Sequence, residues 1–238
     1  MTEGPAGWGA PLHARVLDLA GVGEGTTVLD LGCGPGTFAA AAVARGARVV
    51  GIDVDRSAVA AAAAAVPGAE FRTGDAHDPP PGPFDLVVAV QLLQHVANPL
   101  AVLRAAARVG SAVAVTTWGR EEDCDIRAFG EALARWLPPR RPPSGPPPLT
   151  DPARLRKIVG LAGLAVRAED EVECQFCYPD ADALVGPVLE AGIGRGAAAV
   201  AGPDAVRDAV LARLDANRTR NGGYLLRNRF RVVLAEPR

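Results

Sequence analysis

The stretch VLDLGCGPGTFA, residues 28–39, constrains the fold more than any other part of this chain. A short apolar run carrying Asp30 breaks into Gly32-Cys33-Gly34-Pro35-Gly36 and gives way at once to an alanine-rich tract. That order reads as strand, tight turn, helix. Glycines in such a turn let the backbone come close to a ligand that any Cβ would push away. The spacing excludes two well-known users of the device. A dinucleotide fingerprint, G-x-G-x-x-G, counted from Gly32 and Gly34, meets Thr37 where it needs a third glycine. A P-loop needs Gly-Lys-Ser/Thr, and no lysine stands here.

The segments that follow repeat the pattern. Residues 48–52 are β-branched, 56–66 form an alanine-rich helix stopped by Pro67-Gly68, and 70–72 make a short strand. Residues 84–90, FDLVVAV, form an apolar run of the kind found in a strand covered on both faces. Asn98-Pro99 places a cap and an N1 proline ahead of a helix over 100–109, and 112–117 read as the next strand. Strands alternating with helices predict right-handed βαβ units, hence an α/β fold with a central, mostly parallel sheet and helices on both faces. The second half is less regular. A helix is expected over 125–137, a proline-rich loop with Arg140-Arg141 over 138–148, and a further helix to about 161. Strands are expected over 164–174 and 226–235, with two helices between them.

Composition narrows the function classes. With 238 residues and 49% hydrophobic content the chain can bury a real core. A net charge of −2 argues against a nucleic-acid or membrane-surface binder. No apolar run nears the ~20 residues of a membrane span. The N-terminal stretch lacks the basic and apolar regions of a signal peptide, so a soluble cytoplasmic protein is expected. The single Lys157 among 25 basic residues suggests a GC-rich genome. Of four cysteines, Cys174 and Cys177 form a lone CxxC with no histidine cluster to complete a metal site; reduced thiols and no bound metal are expected.

Asp30-Leu-Gly-Cys-Gly-Pro-Gly36 resembles the first motif of the class I S-adenosylmethionine (SAM)-dependent methyltransferases, and three further motifs follow in register over residues 26–118. VVGIDVD places Asp53 at the end of the second strand, 21 residues after Gly32, where the family's acid bonds both ribose hydroxyls. A carboxylate suits a diol because it offers two strong acceptors. FRTGDAHD matches the turn where Asp75 would accept from the adenine amine and the Ala76 N–H would bond a ring nitrogen. FDLVVAVQLLQHVANPL is similar to the fourth strand and its sequel in the ubiquinone/menaquinone-type small-molecule group, with His95 in its histidine triplet. The resemblance thus implies a Rossmann-like fold. It also implies a SAM site built from Asp30, Gly32, Cys33, Gly34, Gly36, Asp53, Val54, Asp75, Ala76, Val90 and Gln91. WGREEDC, CQFCYPD and GGYLLRNRFRVVLA look like a bacterial subgroup of the family. Two loops depart from the pattern: residues 75–85 are about two residues short, and RVGSAV replaces the L-x-P-G-G turn before the fifth strand.

The resemblance implies methyl transfer to a small-molecule acceptor at O, N, S or C. The same motifs would serve a cyclisation, decarboxylation or elimination, or a non-catalytic SAM-binding subunit. Residues 90–91 read VQ where nucleobase and amide N-methyltransferases carry Asn/Asp-Pro-Pro, and no carboxylate cluster marks a Mg²⁺ site. His95 and His13 are the candidate bases, weighed against local structural roles; His77 reads as a solvent-facing cover. Asp30 would face the sulfonium or amino group, or else bond the turn's own amides. Trp8, Trp118 and Tyr178 are candidates to line a substrate pocket, or to pack. The chain reads as one domain, with a cofactor core over about 26–118. Cap segments over about 1–20, 120–148 and 178–224 are expected to form a helical lid carrying substrate contacts.

Overall fold

Strands occur where the sequence runs apolar and β-branched: β1 (Thr27–Leu31), β2 (Arg48–Asp53), β3 (Glu70–Thr73), β4 (Phe84–Ala89), β5 (Gly110–Trp118), β6 (Leu164–Tyr178) and β7 (Tyr224–Pro237). They form one sheet in the order β3-β2-β1-β4-β5-β7-β6. The first five pair in parallel, with Leu29 opposite Val50 on one side and Val87 on the other, and β7 runs antiparallel to β5, Val115 opposite Val233. The computed structural model describes residues 4–139 and 147–238. Residues 140–146 of the proline-rich loop, with Arg140-Arg141, lie outside the described residues.

Two compact units share these residues: a larger one of 10–119, 147–172 and 230–238, and a smaller one of 4–9, 120–139 and 173–229. In the larger unit the helices are α1 (Ala10–Leu19), α2 (Thr37–Val43), α3 (Arg56–Ala65), α4 (Pro99–Val109) and, in the chain's second half, α6 (Pro152–Leu161). Several begin at side-chain caps, which satisfy backbone donors that a helix start leaves open. Asp55 accepts from Ser57 N–H (2.7 Å), Asn98 from Ala101 N–H (3.1 Å) and Asp151 from Arg154 N–H (2.8 Å). Strand alternation divides the core. Leu29, Leu31, Val87, Ala89, Val113 and Val115 join Val102 and Leu103 of α4 and Leu155, Ile158 and Val159 of α6 in one buried cluster. Phe38, Ala39 and Ala42 of α2 are buried as well, and α2 packs against β1, β2 and α1. Each such fully buried Leu or Val contributes ~1.5–3 kcal/mol relative to exposure.

Where the family's L-x-P-G-G turn is missing, α4 runs directly into β5 at Gly110. A Cβ there would sit 2.5 Å from Val87 Cγ2, so only glycine lets the helix turn into the strand at this point.

In the smaller unit α5 (Arg127–Leu133) ends sooner than the sequence suggests, with a 3-10 turn over Ala134–Trp136. Three helices rather than two lie between β6 and β7: α7 (Ala181–Glu190), α8 (Gly192–Ala201) and α9 (Pro203–Arg213). Ala191 takes extended backbone and turns α8 by 93° from α7; Gly202-Pro203 separates α8 from α9. The Ala/Gly-rich α8 offers too little apolar–polar contrast for its ends to be read from periodicity. Cys33, Cys124 and Cys174 are buried and Cys177 is exposed. No single helix among the described residues is long and apolar enough to cross a membrane.

Candidate active site

Strand order reverses at β1: the chain leaves it toward β2 and β3, then returns to β4 on its other flank. Open α/β sheets bind ligands in the crevice at such a point, at the carboxyl ends of the strands. The glycine turn lies there, hung from the end of β2. Gly32 and Cys33 N–H groups donate to the Ile52 carbonyl at 2.8 and 3.0 Å, and Gly34 N–H donates to Asp53 Oδ2 at 2.9 Å. Two of the glycines take backbone that side chains rarely adopt and also lie close to neighbours. Gly32 (φ 68°) would place a Cβ 2.6 Å from Leu92 Cδ1, and Gly36 (φ 85°) would place one 3.0 Å from Ala62 Cβ on α3.

Around the turn stand two acids of opposite character. Half-buried Asp53 accepts from Gly34 N–H through one oxygen and from Asp55 N–H (2.9 Å) through the other. A carboxylate offers about four acceptor positions, so two remain for a diol. Asp30 is 1% exposed, and its Oδ2 has no hydrogen-bond partner. Burial, with the Asp53 charge as a smaller cause, pushes its carboxyl up to about 8. Burial, together with these two acids, also pushes the Cys33 thiol up to about 12, which keeps it protonated and non-nucleophilic.

After β3, Asp75 Oδ1 accepts from His77 N–H (2.9 Å) and meets His77 Nδ1 (2.7 Å). These bonds hold the Asp75 carboxyl below its usual value. The Ala76 N–H has no acceptor among the described residues. Val54, just past Asp53, is 70% exposed, an apolar surface beside the acid. Past Val90, Gln91 is the one non-glycine among the described residues with a left-handed backbone, φ 53°. Its N–H and its Nε2 both donate to Thr116 Oγ1 at 3.0 Å, and Gln94 Nε2 donates to its Oε1 at 2.9 Å.

The larger unit thus gathers Asp30, the glycine turn, Asp53, Val54, Asp75, Ala76, Val90 and Gln91 at the carboxyl ends of β1 to β4. Trp118 ends β5, its ring 4.4 Å from that of Phe230. His13 is buried on α1, edge-on to Phe38 (5.6 Å), and burial lowers its pKa to about 4. His95 is exposed in the turn before α4, and its N–H donates to the Leu92 carbonyl at 2.8 Å. Trp8 and Tyr178 belong to the smaller unit. Trp8 stacks at a tilt on Phe176 (5.3 Å), and burial pushes the Tyr178 hydroxyl up to about 12. Sequence reading missed Thr116, a polar residue in an otherwise apolar run, and Leu92, whose side chain backs Gly32.

These residues fit SAM. A buried carboxyl with an unpartnered oxygen suits a cationic amino-acid end, Asp53 suits the ribose diol, and the Ala76 N–H suits a ring nitrogen. A family model described as a methyltransferase domain matches residues 29–112. A ubiquinone biosynthesis O-methyltransferase from Pseudomonas paraeruginosa is 34% identical over 140 residues, 54% of this chain and 60% of that protein. Its namesake from Aeromonas salmonicida is 31% identical over 164 residues, 64% of this chain and 68% of that one. The chain spans 60% of the length of the Pseudomonas paraeruginosa relative and of its namesake from Pseudomonas aeruginosa. Among solved structures, magnesium protoporphyrin IX methyltransferase from Synechocystis PCC 6803 with bound SAH aligns at a TM-score of 0.57. It is 16% identical, with 95% of this chain and 80% of that one covered, a likeness of fold.

Proposed function

The chain belongs to the class I SAM-dependent methyltransferases, and from that premise we propose that it methylates a small-molecule acceptor at O, N, S or activated C. The observation that carries this reading is the buried Asp30 carboxyl beside the glycine turn, its Oδ2 without a partner, with Asp53 held ready by that turn's own N–H. When bound, SAM supplies a methyl group on a sulfonium, which is already a good leaving group. What remains for the chain is to bind, orient and exclude water. Asp53 holds the ribose through its two uncommitted acceptor positions. Asp30, ionised when a cation lies beside it, holds the amino-acid end. Asp75 and the Ala76 N–H take the adenine edge, and Val54 covers its face. Gln91 stands at the end of β4, where the acceptor approaches. Alignment and desolvation of this kind supply several kcal/mol of barrier lowering, so a catalytic triad is unnecessary. His13 and His95 remain the candidates for taking a proton from the acceptor, and Trp8, Trp118 and Tyr178 for contacting it.

Calorimetry tests the reading. The chain is expected to bind SAM and S-adenosylhomocysteine but not NADH. Asp53→Ala should cost roughly 2–3 kcal/mol of SAM affinity, about 30- to 150-fold. Tight NADH binding, or unchanged SAM affinity in the variant, would overturn it.

A further inference from the structure

We infer that Thr116 is a positioning residue for the cofactor crevice, acting through Gln91 and Leu92; this rests on the SAM reading above. Left-handed backbone is cheap for glycine and tolerable for asparagine, but glutamine has no such advantage. A non-glycine held there in a crevice needs surroundings that over-determine it. Thr116 supplies them. Its hydroxyl oxygen, on a side chain 1% exposed within β5, accepts both the backbone N–H and the amide Nε2 of Gln91, each at 3.0 Å. One oxygen therefore fixes the main chain and the side chain of the same residue. Gln94 closes the arrangement by donating to Gln91 Oε1 at 2.9 Å.

The consequence reaches the glycine turn through the next residue. Leu92 lies so close to Gly32 that a Cβ there would come within 2.6 Å of Leu92 Cδ1. On its other side the turn is tied to β2 by the Gly32 and Cys33 N–H groups. The turn is thus clamped between the Ile52 carbonyl and Leu92, and the backbone bend at Gln91 decides where Leu92 stands. Without the Thr116 hydroxyl, Gln91 loses both bonds and the reason for its left-handed bend, and Leu92 moves off the turn.

Calorimetric SAM titrations of the full chain test the assignment, with thermal unfolding to confirm that each variant folds. Thr116→Val keeps the shape and removes the acceptor; SAM affinity should fall at least tenfold. Thr116→Ser restores the hydroxyl and should stay within threefold of the unaltered chain. The discriminating comparison uses Gln91→Gly, which reaches the left-handed bend without help. In that background, adding Thr116→Val should change SAM affinity less than threefold. A residue that merely filled the core would weaken binding equally in both backgrounds. SAM binding by the unaltered chain with no loss in Thr116→Val, or the same loss with and without Gln91→Gly, would overturn the role of Thr116 alone. No SAM binding by the unaltered chain would overturn the methyltransferase reading, and this inference with it.

Discussion

Asp30 and His13 are both displaced from their ordinary pKa values by burial, one upward and one downward. Their effects on stability therefore oppose each other. Asp30 keeps its proton in the folded chain up to about 8, while the unfolded chain releases it near 4. Its contribution falls as pH rises through that window. His13 stays neutral in the folded chain down to about 4, whereas the unfolded chain takes a proton near 6.5. Its contribution is complete above 6.5 and is lost on acidification toward 4. The two slopes offset each other between 4 and 6.5, leaving Asp30 alone between 6.5 and 8. Urea midpoints should therefore fall between pH 6.5 and 8 in the unaltered chain, and Asp30→Asn should flatten that fall. An equal slope in the variant would show that Asp30 ionises freely. SAM affinity should rise over the same pH range, since a cationic ligand favours the charged carboxyl. Asp30 was legible in the sequence because it abuts a spaced motif. Thr116 was not, because its importance lies in a hydrogen bond across 25 residues, which no local spacing encodes.

At the scale of elements, what could be read depended on caps and apolar contrast. Asn98-Pro99 announced α4, and the Asn98 side chain does accept the Ala101 N–H. Asn98→Ala should therefore destabilise by about 1 kcal/mol. That should lower the thermal midpoint by about 2–4 °C in a calorimetric scan. Asn98→Asp, which keeps an acceptor, should not; an equal loss in both would mean the cap bond is idle. The parallel strands were equally plain, since an apolar run such as 84–90 suits a strand covered on both faces. Helix α1 was legible only as part of a helical segment over about 1–20, without its bounds, because its buried residues, Leu12, His13, Val16 and Leu17, include a histidine that breaks the apolar stripe. The three helices after β6 were undercounted because alanine and glycine dominate the middle one.

For the whole molecule, the division into two units bears on which residues act on which ligand. Every residue assigned to SAM lies in the larger unit, while Trp8 and Tyr178 lie in the smaller. If the smaller unit selects the acceptor, Tyr178→Ala should raise KM or abolish turnover with SAM affinity within about threefold, because only acceptor binding is lost. Joint loss of SAM binding and turnover would refute that division of labour. Strand order carries a different consequence, for the chain as it leaves the ribosome. The strand farthest along the sequence, β7, is inserted between β5 and β6 rather than added at a margin. Until it arrives, β5 presents an open rim and β6 has no ladder at all, so two earlier strands wait on the final one. Exposed rims of this kind recruit other chains. Stopping synthesis after Gly223 should therefore idle β6 as well as remove β7, and sedimentation should show more aggregate from the shortened chain than from the unaltered one. Any fusion or tag that hinders the last segment from threading into place would mimic that nascent state.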